Sequence, residues 1–509
     1  MSDLPQRLGV VGAGTMGAGI AQLGVMAGME TWLHDPFPEA LERGERYVRR
    51  YAEDAAATHL HASTDLTELS DCELVIEAVP ERAGLKSNLF AQLSEVCRPG
   101  TVLATNTSSI LVTSLAGAAA EPHNVVGMHF FNPPPLMKLL EVIAAEQTGE
   151  RALAVARATG EAMGKRVIVA TDGPGFLVNR CNRPFGAEAL RLLQEGVAAH
   201  EQIDRIVRLG GGFRMGPFEL MDLVGIDVGF EVAKSFDAQS FGEPRWIPSP
   251  LQARKVAAGT LGRKTGSGWY DYPRDAEYRA ADPPAPDPAG GDGERVAVDG
   301  WGALAHQLRE RAREAGFDAR APEDFGGGDE PSLVIDATVP APASDIGALD
   351  GGPPLVAICA DRSLSGRGDP TAAGFHLLPP LDSARLVELT RLPTTPEATT
   401  RAAESFFTRC GFLQEWVGDA PGLVLGRIVP QLVNEAAFAI GEGVGTADDV
   451  DTGLTLGLNH PRGPIAWGGE IGFDHVLAAI DGLWDDLHDP RYRAAPLLRR
   501  GGPEWPPPT

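Results

Sequence analysis

The chain begins with an apolar run, Leu8–Val11, then a glycine-rich turn, an apolar stretch through Met26 and a second short run ending before Asp35. This reads as strand, tight turn, helix, strand. The charged stretch "EALERGERYVRRYAED" then has helical spacing, and "CELVIEAV" and "GTVLATNTS" read as further buried strands. Strands alternating with helices predict a parallel, doubly wound sheet. After "ATDGPGFLVNR" the pattern changes. From about Pro184 to Tyr272 apolar residues recur at helical spacing, with few strand signals. Tyr272 to Glu294, rich in proline, glycine and aspartate, reads as a linker.

Beyond the linker the pattern repeats. Gly12, Leu74 and His129 find counterparts in Gly300, Leu333 and His376, at offsets of 288, 259 and then 247 residues. From His129 onward the offset holds: Glu141 pairs with Glu388, "PGFLVNR" with "PGLVLGR", and "MGPFELMDLVGID" with "RGPIAWGGEIGFD". The chain is therefore an internal duplication whose second copy has lost residues in two places.

Composition narrows the function. A net charge of −25 repels phosphate backbones, which argues against nucleic-acid binding but leaves room for a small anionic ligand in a local basic pocket. Polar breaks are too frequent for a membrane span. No basic-then-apolar export pattern opens the sequence. Five scattered cysteines, with no C-x-x-C and no His/Cys cluster, suggest a reducing cytoplasm and no metal site.

Gly12, Gly14 and Gly17 have G-x-G-x-x-G spacing between a predicted strand and a predicted helix. In that setting the first glycine permits the turn, the second admits a pyrophosphate and the third lets helix and strand close up. The helix N-terminus offers amides and positive dipole to the phosphates. Asp35 suits a ribose 2′-hydroxyl and repels a 2′-phosphate, which favours NAD over NADP. The plainer readings are an ordinary tight turn and, for Asp35, a helix cap.

In "NVVGMHFFNPPPLMKLLEVI" a histidine, His129, precedes Glu141 by twelve positions. His129 alone reads as a core residue. Glu141, set in the apolar "LLEVI", is costly to bury without a partner. A His129–Glu141 pair would orient the imidazole and stabilise its protonated form, which suits acid–base work on an alcohol. "TNTSS" adds the Ser108 hydroxyl and "PGFLVNR" adds Asn179; both also read as capping residues.

Taken in order, "GAGTMG", "VIEAVPE", "NTSS", "HFFNP", "TDGPGFLVNR", "GPFELMD" and "KTGSGWY" make Arg7 to about Tyr272 resemble the L-3-hydroxyacyl-CoA dehydrogenase family. The repeated architecture resembles its longer, two-copy bacterial members. The resemblance implies His129 as catalytic base, Glu141 as its partner, and Ser108 and Asn179 around the substrate oxygen. It implies an acyl-CoA substrate and NAD held along Gly12, Gly14, Thr15, Met16 and Gly17, with Asp35, Glu81, Lys86, Asn106, Asn132 and Lys264. The expected organisation is an NAD-binding Rossmann domain (1–184), an all-α domain (185–272), a linker (273–294), a degenerate Rossmann-like domain (295–428) and a second all-α domain (429–500). The segment after Asp35 is shorter than the family's usual helical hairpin. Arg43, Arg46, Arg49 and Arg50 are local candidates for gripping CoA, and equally a solvated helix face.

In the second copy Gly426 replaces Asn179, Pro340 replaces Glu81, Ala305 replaces Gly17, Glu323 stands for Asp35, and Asp345 falls near the place of Lys86. His376 and Glu388 remain. The second copy reads as a structural partner. Single-copy members pair through the helical domain, so the two helical segments are expected to form an intrachain pseudo-dimer, with further homo-oligomers open. Two rival readings are another β-hydroxyacid dehydrogenase and a non-enzymatic, λ-crystallin-like member.

Overall fold

The computed structural model of the chain describes residues 4–341 and 352–501. It contains two sheets. The first comprises β1 (Arg7–Val11), β2 (Glu30–His34), β3 (Leu60–Ser63), β4 (Leu74–Glu77), β5 (Val102–Thr105), β6 (Val125–Phe130), β7 (Leu139–Ala144) and β8 (Arg166–Thr171). Their order is β3-β2-β1-β4-β5-β6-β7-β8. Every neighbour pair is parallel except β6–β7, where His129 lies directly opposite Glu141. The second sheet comprises β9 (Arg295–Asp299), β10 (Asp318–Arg320), β11 (Leu333–Asp336), β12 (Leu355–Ile358), β13 (Ala373–His376), β14 (Leu386–Arg391) and β15 (Leu413–Trp416). Its order, β10-β9-β11-β12-β13-β14-β15, repeats the first without a counterpart of β3. Its one antiparallel pair, β13–β14, sets His376 opposite Glu388.

The missing strand fits the first sequence loss. In the first copy a helix, Pro38–His59, leads to β3; it runs past the charged stretch that predicts it and breaks locally at Glu53. In the second copy only a short 3-10 turn, Pro322–Asp324, separates β10 from β11.

The first compact unit runs through Arg180 and includes Glu442–Leu458. Its glycine turn is dictated by space. A Cβ on Gly17 would lie 1.7 Å from the Gly12 carbonyl oxygen, so only glycine lets α1 (Thr15–Met26) approach β1 this closely. At the other end of the sheet, residues from the second copy pack on β7 and β8.

The second unit holds Cys181–Gly441 and the chain from Asn459 onward. Here α2 (Arg183–Gln194) of the first copy packs against α5 (Leu425–Gly441) of the second. Arg427, fully buried on α5, donates to Glu188 at 3.0 Å and to Glu195, beside Tyr492. Arg245 pairs with Glu435 at 2.6 Å. The first copy's α3 (His200–Gly211) and α4 (Ile226–Ser240) belong to this unit, and α3 packs on β14. The linker is tied down: Asp282 accepts from Arg208 at 3.0 Å, and Arg279 pairs with Glu219 at 2.6 Å.

Contacts in the two units repeat at the 247-residue offset. In the first, Thr171 N donates to Val444 O at 3.0 Å and Arg180 pairs with Glu442 at 2.7 Å. In the second, Gly418 N donates to Val197 O at 2.7 Å and Arg427 pairs with Glu195 at 2.5 Å. In each unit, then, a helical segment of one copy packs on the sheet of the other.

Candidate active site

The site grows from the antiparallel pair β6–β7 of the first sheet, with β8 beyond it at the edge. Glu141 is fully buried. Its Oε2 accepts from His129 Nδ1 at 2.9 Å, and its Oε1 accepts from the amides of Leu177 and Val178 at 2.8 and 3.1 Å. A backbone turn aims those amides: Gly175 and Phe176 are both left-handed, with φ of 70° and 53°. A left-handed phenylalanine costs on the order of 1–3 kcal/mol, offset here by two amides delivered to a buried carboxylate. With Nδ1–H committed to Glu141, Nε2 is the ring nitrogen left for chemistry. The ring packs near Phe131 and Phe176, which limits its rotation.

The loop after β5 is anchored to the same strand. Asn106 Oδ1 accepts from Phe130 N, the residue after His129, at 2.8 Å. Glu81 gathers the next turn, accepting from Thr107 Oγ1, Ser108 N and Ser109 N at 2.5, 3.0 and 3.1 Å. Burial opposes ionisation of Glu81, but the Lys86 charge and these donors outweigh it and hold the carboxyl below its usual range. The half-buried Ser108 hydroxyl and Asn179 side chain make no protein hydrogen bond among the described residues, so both are available to a ligand. Asn179 directly follows Val178 in the Glu141 clasp.

On the cofactor side, Gly14 and Thr15 are exposed and Met16 half-buried at the start of α1. A Cβ on Gly12 would lie 2.7 Å from the Ala78 carbonyl oxygen, whereas at Gly14 the space is open. Asp35 Oδ2 accepts from Ala13 N at 2.9 Å and Oδ1 from Phe37 N at 3.0 Å, which fixes the carboxylate at the end of β2. This cradle and its acidic terminus fit an NAD pyrophosphate and ribose. Asn132 is exposed. Lys86 is 1% exposed and has two carboxylate partners, Glu77 at 2.7 Å and Glu81 at 3.2 Å. In the second unit, Lys264 pairs with Asp227 at 2.5 Å.

Glu77 was not singled out by the sequence reading. It is fully buried at the end of "LVIE", where Val79 N, Lys86 Nζ and Thr105 Oγ1 converge on it. The same reasoning that marks Glu141, a carboxylate in an apolar strand, marks Glu77. Of the four arginines near residue 46, Arg46 and Arg49 pair with Glu42 and Glu45 one turn away. No group of three His, Cys, Asp or Glu side chains among the described residues is arranged to hold a metal ion, and no described helix is long and apolar enough to cross a membrane.

The second copy keeps the register and loses the bond. Glu388 accepts from Val424 and Leu425 amides at 2.7 and 2.9 Å, behind the left-handed pair Gly422 and Leu423. Its separation from His376 Nδ1 is 3.8 Å, and neither His376 ring nitrogen has a hydrogen bond among the described residues. Pairing of these two residues therefore survives as strand register alone. Glu323 is exposed on its short turn, unlike Asp35. Arg309 donates to the Gly300 carbonyl at 2.6 Å, across the second glycine turn. A cleft of about 780 Å³ in this copy is lined by Asp361, Asp474, Asp481, Asp485 and Asp486 with Arg362, which disfavours phosphates. Asp345 lies outside the described residues.

Comparison with known proteins agrees with this geometry. Residues 7–173 match the 3-hydroxyacyl-CoA dehydrogenase NAD binding domain. Residues 175–272 and 422–503 both match the 3-hydroxyacyl-CoA dehydrogenase C-terminal domain. The chain is 35% identical over 508 residues to 3-hydroxyadipyl-CoA dehydrogenase of Escherichia coli K12, covering 97% of each chain. It is 40% identical to a probable 3-hydroxybutyryl-CoA dehydrogenase of Deinococcus radiodurans, over 52% of this chain and all of the relative. The crystal structure of 3-hydroxybutyryl-CoA dehydrogenase from E. coli K12 superposes with a TM-score of 0.77 at 31% identity, covering 97% of this chain and 98% of that one. The chain belongs to the 3-hydroxyacyl-CoA dehydrogenase family.

Proposed function

We propose that the protein oxidises (S)-3-hydroxyacyl-CoA thioesters, of the 3-hydroxybutyryl or 3-hydroxyadipyl type, to 3-oxoacyl-CoA, using the site of the first copy. The observation that carries this is the buried His129–Glu141 pair, with Glu141 fixed by two backbone amides. His129 Nε2 takes the hydroxyl proton while Glu141 stabilises the imidazolium. Ser108 and Asn179 hold the oxygen as it becomes a carbonyl. NAD⁺, bound along Gly12–Gly17 and Asp35, supplies the hydride acceptor for the β carbon. Glu81 and Asn106 set the Ser108 loop, Lys86 fixes Glu81, and Asn132 and Lys264 complete the cofactor contacts.

In this reading the domain limits at 184, 272, 294 and 428 hold, the two helical segments form a pseudo-dimer within one chain, and the enzyme works in the cytoplasm. Five cysteines with no disulfide among the described residues support that compartment. The test is NADH absorbance on adding NAD⁺ to the protein with 3-hydroxybutyryl-, longer 3-hydroxyacyl- and 3-hydroxyadipyl-CoA. NADH should form with at least one thioester; none with any would favour a λ-crystallin-like protein. NADH from a small hydroxy acid in place of the thioesters would favour the other rival.

A further inference from the structure

The edge of the catalytic sheet is covered by the other copy. The helix α6 (Ala447–Leu458) packs on β7 and β8. Glycines set how closely it and the turn before it approach. A Cβ on Gly445 would lie 2.6 Å from Leu177 Cδ2, one on Gly453 would lie 2.8 Å from Val178 Cγ2, and one on Gly457 would lie 2.7 Å from Leu139 Cδ2. Leu177 and Val178 are the residues whose amides hold Glu141. Two polar ties flank the contact, Thr171 N to Val444 O and Arg180 to Glu442. Arg180 directly follows Asn179. The segment from residue 442 to 458 therefore presses on one short turn, Leu177–Arg180, that both clasps Glu141 and carries Asn179.

We infer that this segment of the second copy is a positioning part of the first copy's active site. Leu177 can swing its side chain aside. Val178 is β-branched and buried, with essentially one rotamer in a helix, so pressure at Gly453 passes to its backbone. Displacing that backbone lengthens an amide bond to Glu141 and turns Asn179. The second copy then acts on the chemistry through a contact, without binding substrate itself. This inference takes its kinetic readout from the dehydrogenase reading above.

The duplication supplies a matched control. Gly211 closes α3, and a Cβ there would lie 2.9 Å from Leu425 Cδ1. Leu425 N holds Glu388 at 2.9 Å, in the copy whose histidine is unbonded. Gly453→Ala and Gly211→Ala thus each crowd a clasp residue, a stiff valine in the first copy and a leucine free to swing aside in the second, and only the first clasp serves a hydrogen-bonded His–Glu pair.

The experiment uses full-length Gly453→Ala, Gly211→Ala and the double variant Gly453→Ala/Val178→Ala. Turnover, NADH affinity and amide hydrogen exchange of the Leu177–Asn179 segment are measured in each. Gly453→Ala should lower kcat on the order of ten- to a hundredfold, the scale set by a misplacement of about 1 Å. NADH affinity should stay near wild type, exchange in the segment should speed up, and removing the Val178 methyls should restore most of the turnover. Gly211→Ala should keep wild-type turnover. Equal losses in the two single variants, or unchanged turnover and exchange in Gly453→Ala, would overturn the inference. A wild type inactive on every thioester would instead defeat the dehydrogenase reading, and the exchange rates alone would then decide the positioning claim.

Discussion

A Cβ on Gly426 would lie 2.1 Å from His376 Nε2. The second copy's histidine therefore fills the space that a side chain at the place of Asn179 would need. A side chain at position 426 and this position of His376 exclude one another. Gly426→Asn should not rebuild a site. It should destabilise the chain by about 1–3 kcal/mol through overpacking, with NADH formation at the wild-type rate. Urea unfolding and a turnover assay check both parts. A stable variant with raised turnover would contradict this account.

The His129–Glu141 pair should show its role in pH profiles. Oxidation hands a proton to His129 and ketone reduction takes one from it, so higher pH should favour the forward rate and lower pH the reverse. Glu141→Gln should lower kcat by about 10²-fold or more, because the imidazolium loses its counter-charge. Parallel profiles in the two directions would remove His129 as the base.

Asp35 should set cofactor choice. Its carboxylate is fixed by the Ala13 and Phe37 amides, and Phe37 is exposed beside it. Asp35→Ser with Phe37→Arg should raise the NADP-to-NAD ratio of kcat/KM by about tenfold or more, roughly the effect of one 1.4 kcal/mol interaction. A wild type that already uses both cofactors equally would refute the ribose role.

Glu388 should make the second copy sensitive to pH. Burial raises its carboxyl from 4.5 to about 8, against the pull of its two amides. Its contribution to stability is thus full below about 4.5 and is lost as pH rises toward 8. Burial, with His475 nearby, lowers His376 to about 3, so its contribution is present above 6.5 and lost as pH falls. The stability of Glu388→Gln relative to wild type should therefore climb between about pH 5 and pH 8 in urea titrations. A constant difference across that range would show that Glu388 is ionised in the fold.

Local chemistry was legible in the sequence and long-range exchange was not. The glycine turn, the alternation of strands and helices, and the spacing from His129 to Glu141 each follow from neighbouring residues, because a short antiparallel connection brings those two side chains opposite one another. The left-handed Phe176 was hidden, since nothing in its side chain announces φ of 53°. So was the crossing of residues 442–458 to the first sheet: Gly445, Gly453 and Gly457 look like ordinary helix-weakening glycines until Leu177, Val178 and Leu139 are seen against them. The resemblance implies an NAD contact for Lys86; that it lies buried against Glu77 and Glu81 was not legible in the sequence. The linker composition marked a connection but not its anchoring, in which Arg208 and Glu219 hold it through Asp282 and Arg279.

The central claim, that chemistry belongs to the first copy alone, is tested most directly by NADH formation from a 3-hydroxyacyl-CoA with His129→Ala and His376→Ala in parallel. Both variants remove a buried histidine opposite a buried glutamate. His129→Ala should lose about 10²–10⁴-fold in kcat, the contribution of a general base, and His376→Ala should stay near wild type. Comparable losses in the two variants, or a His129→Ala enzyme keeping more than about a tenth of wild-type turnover, would contradict it.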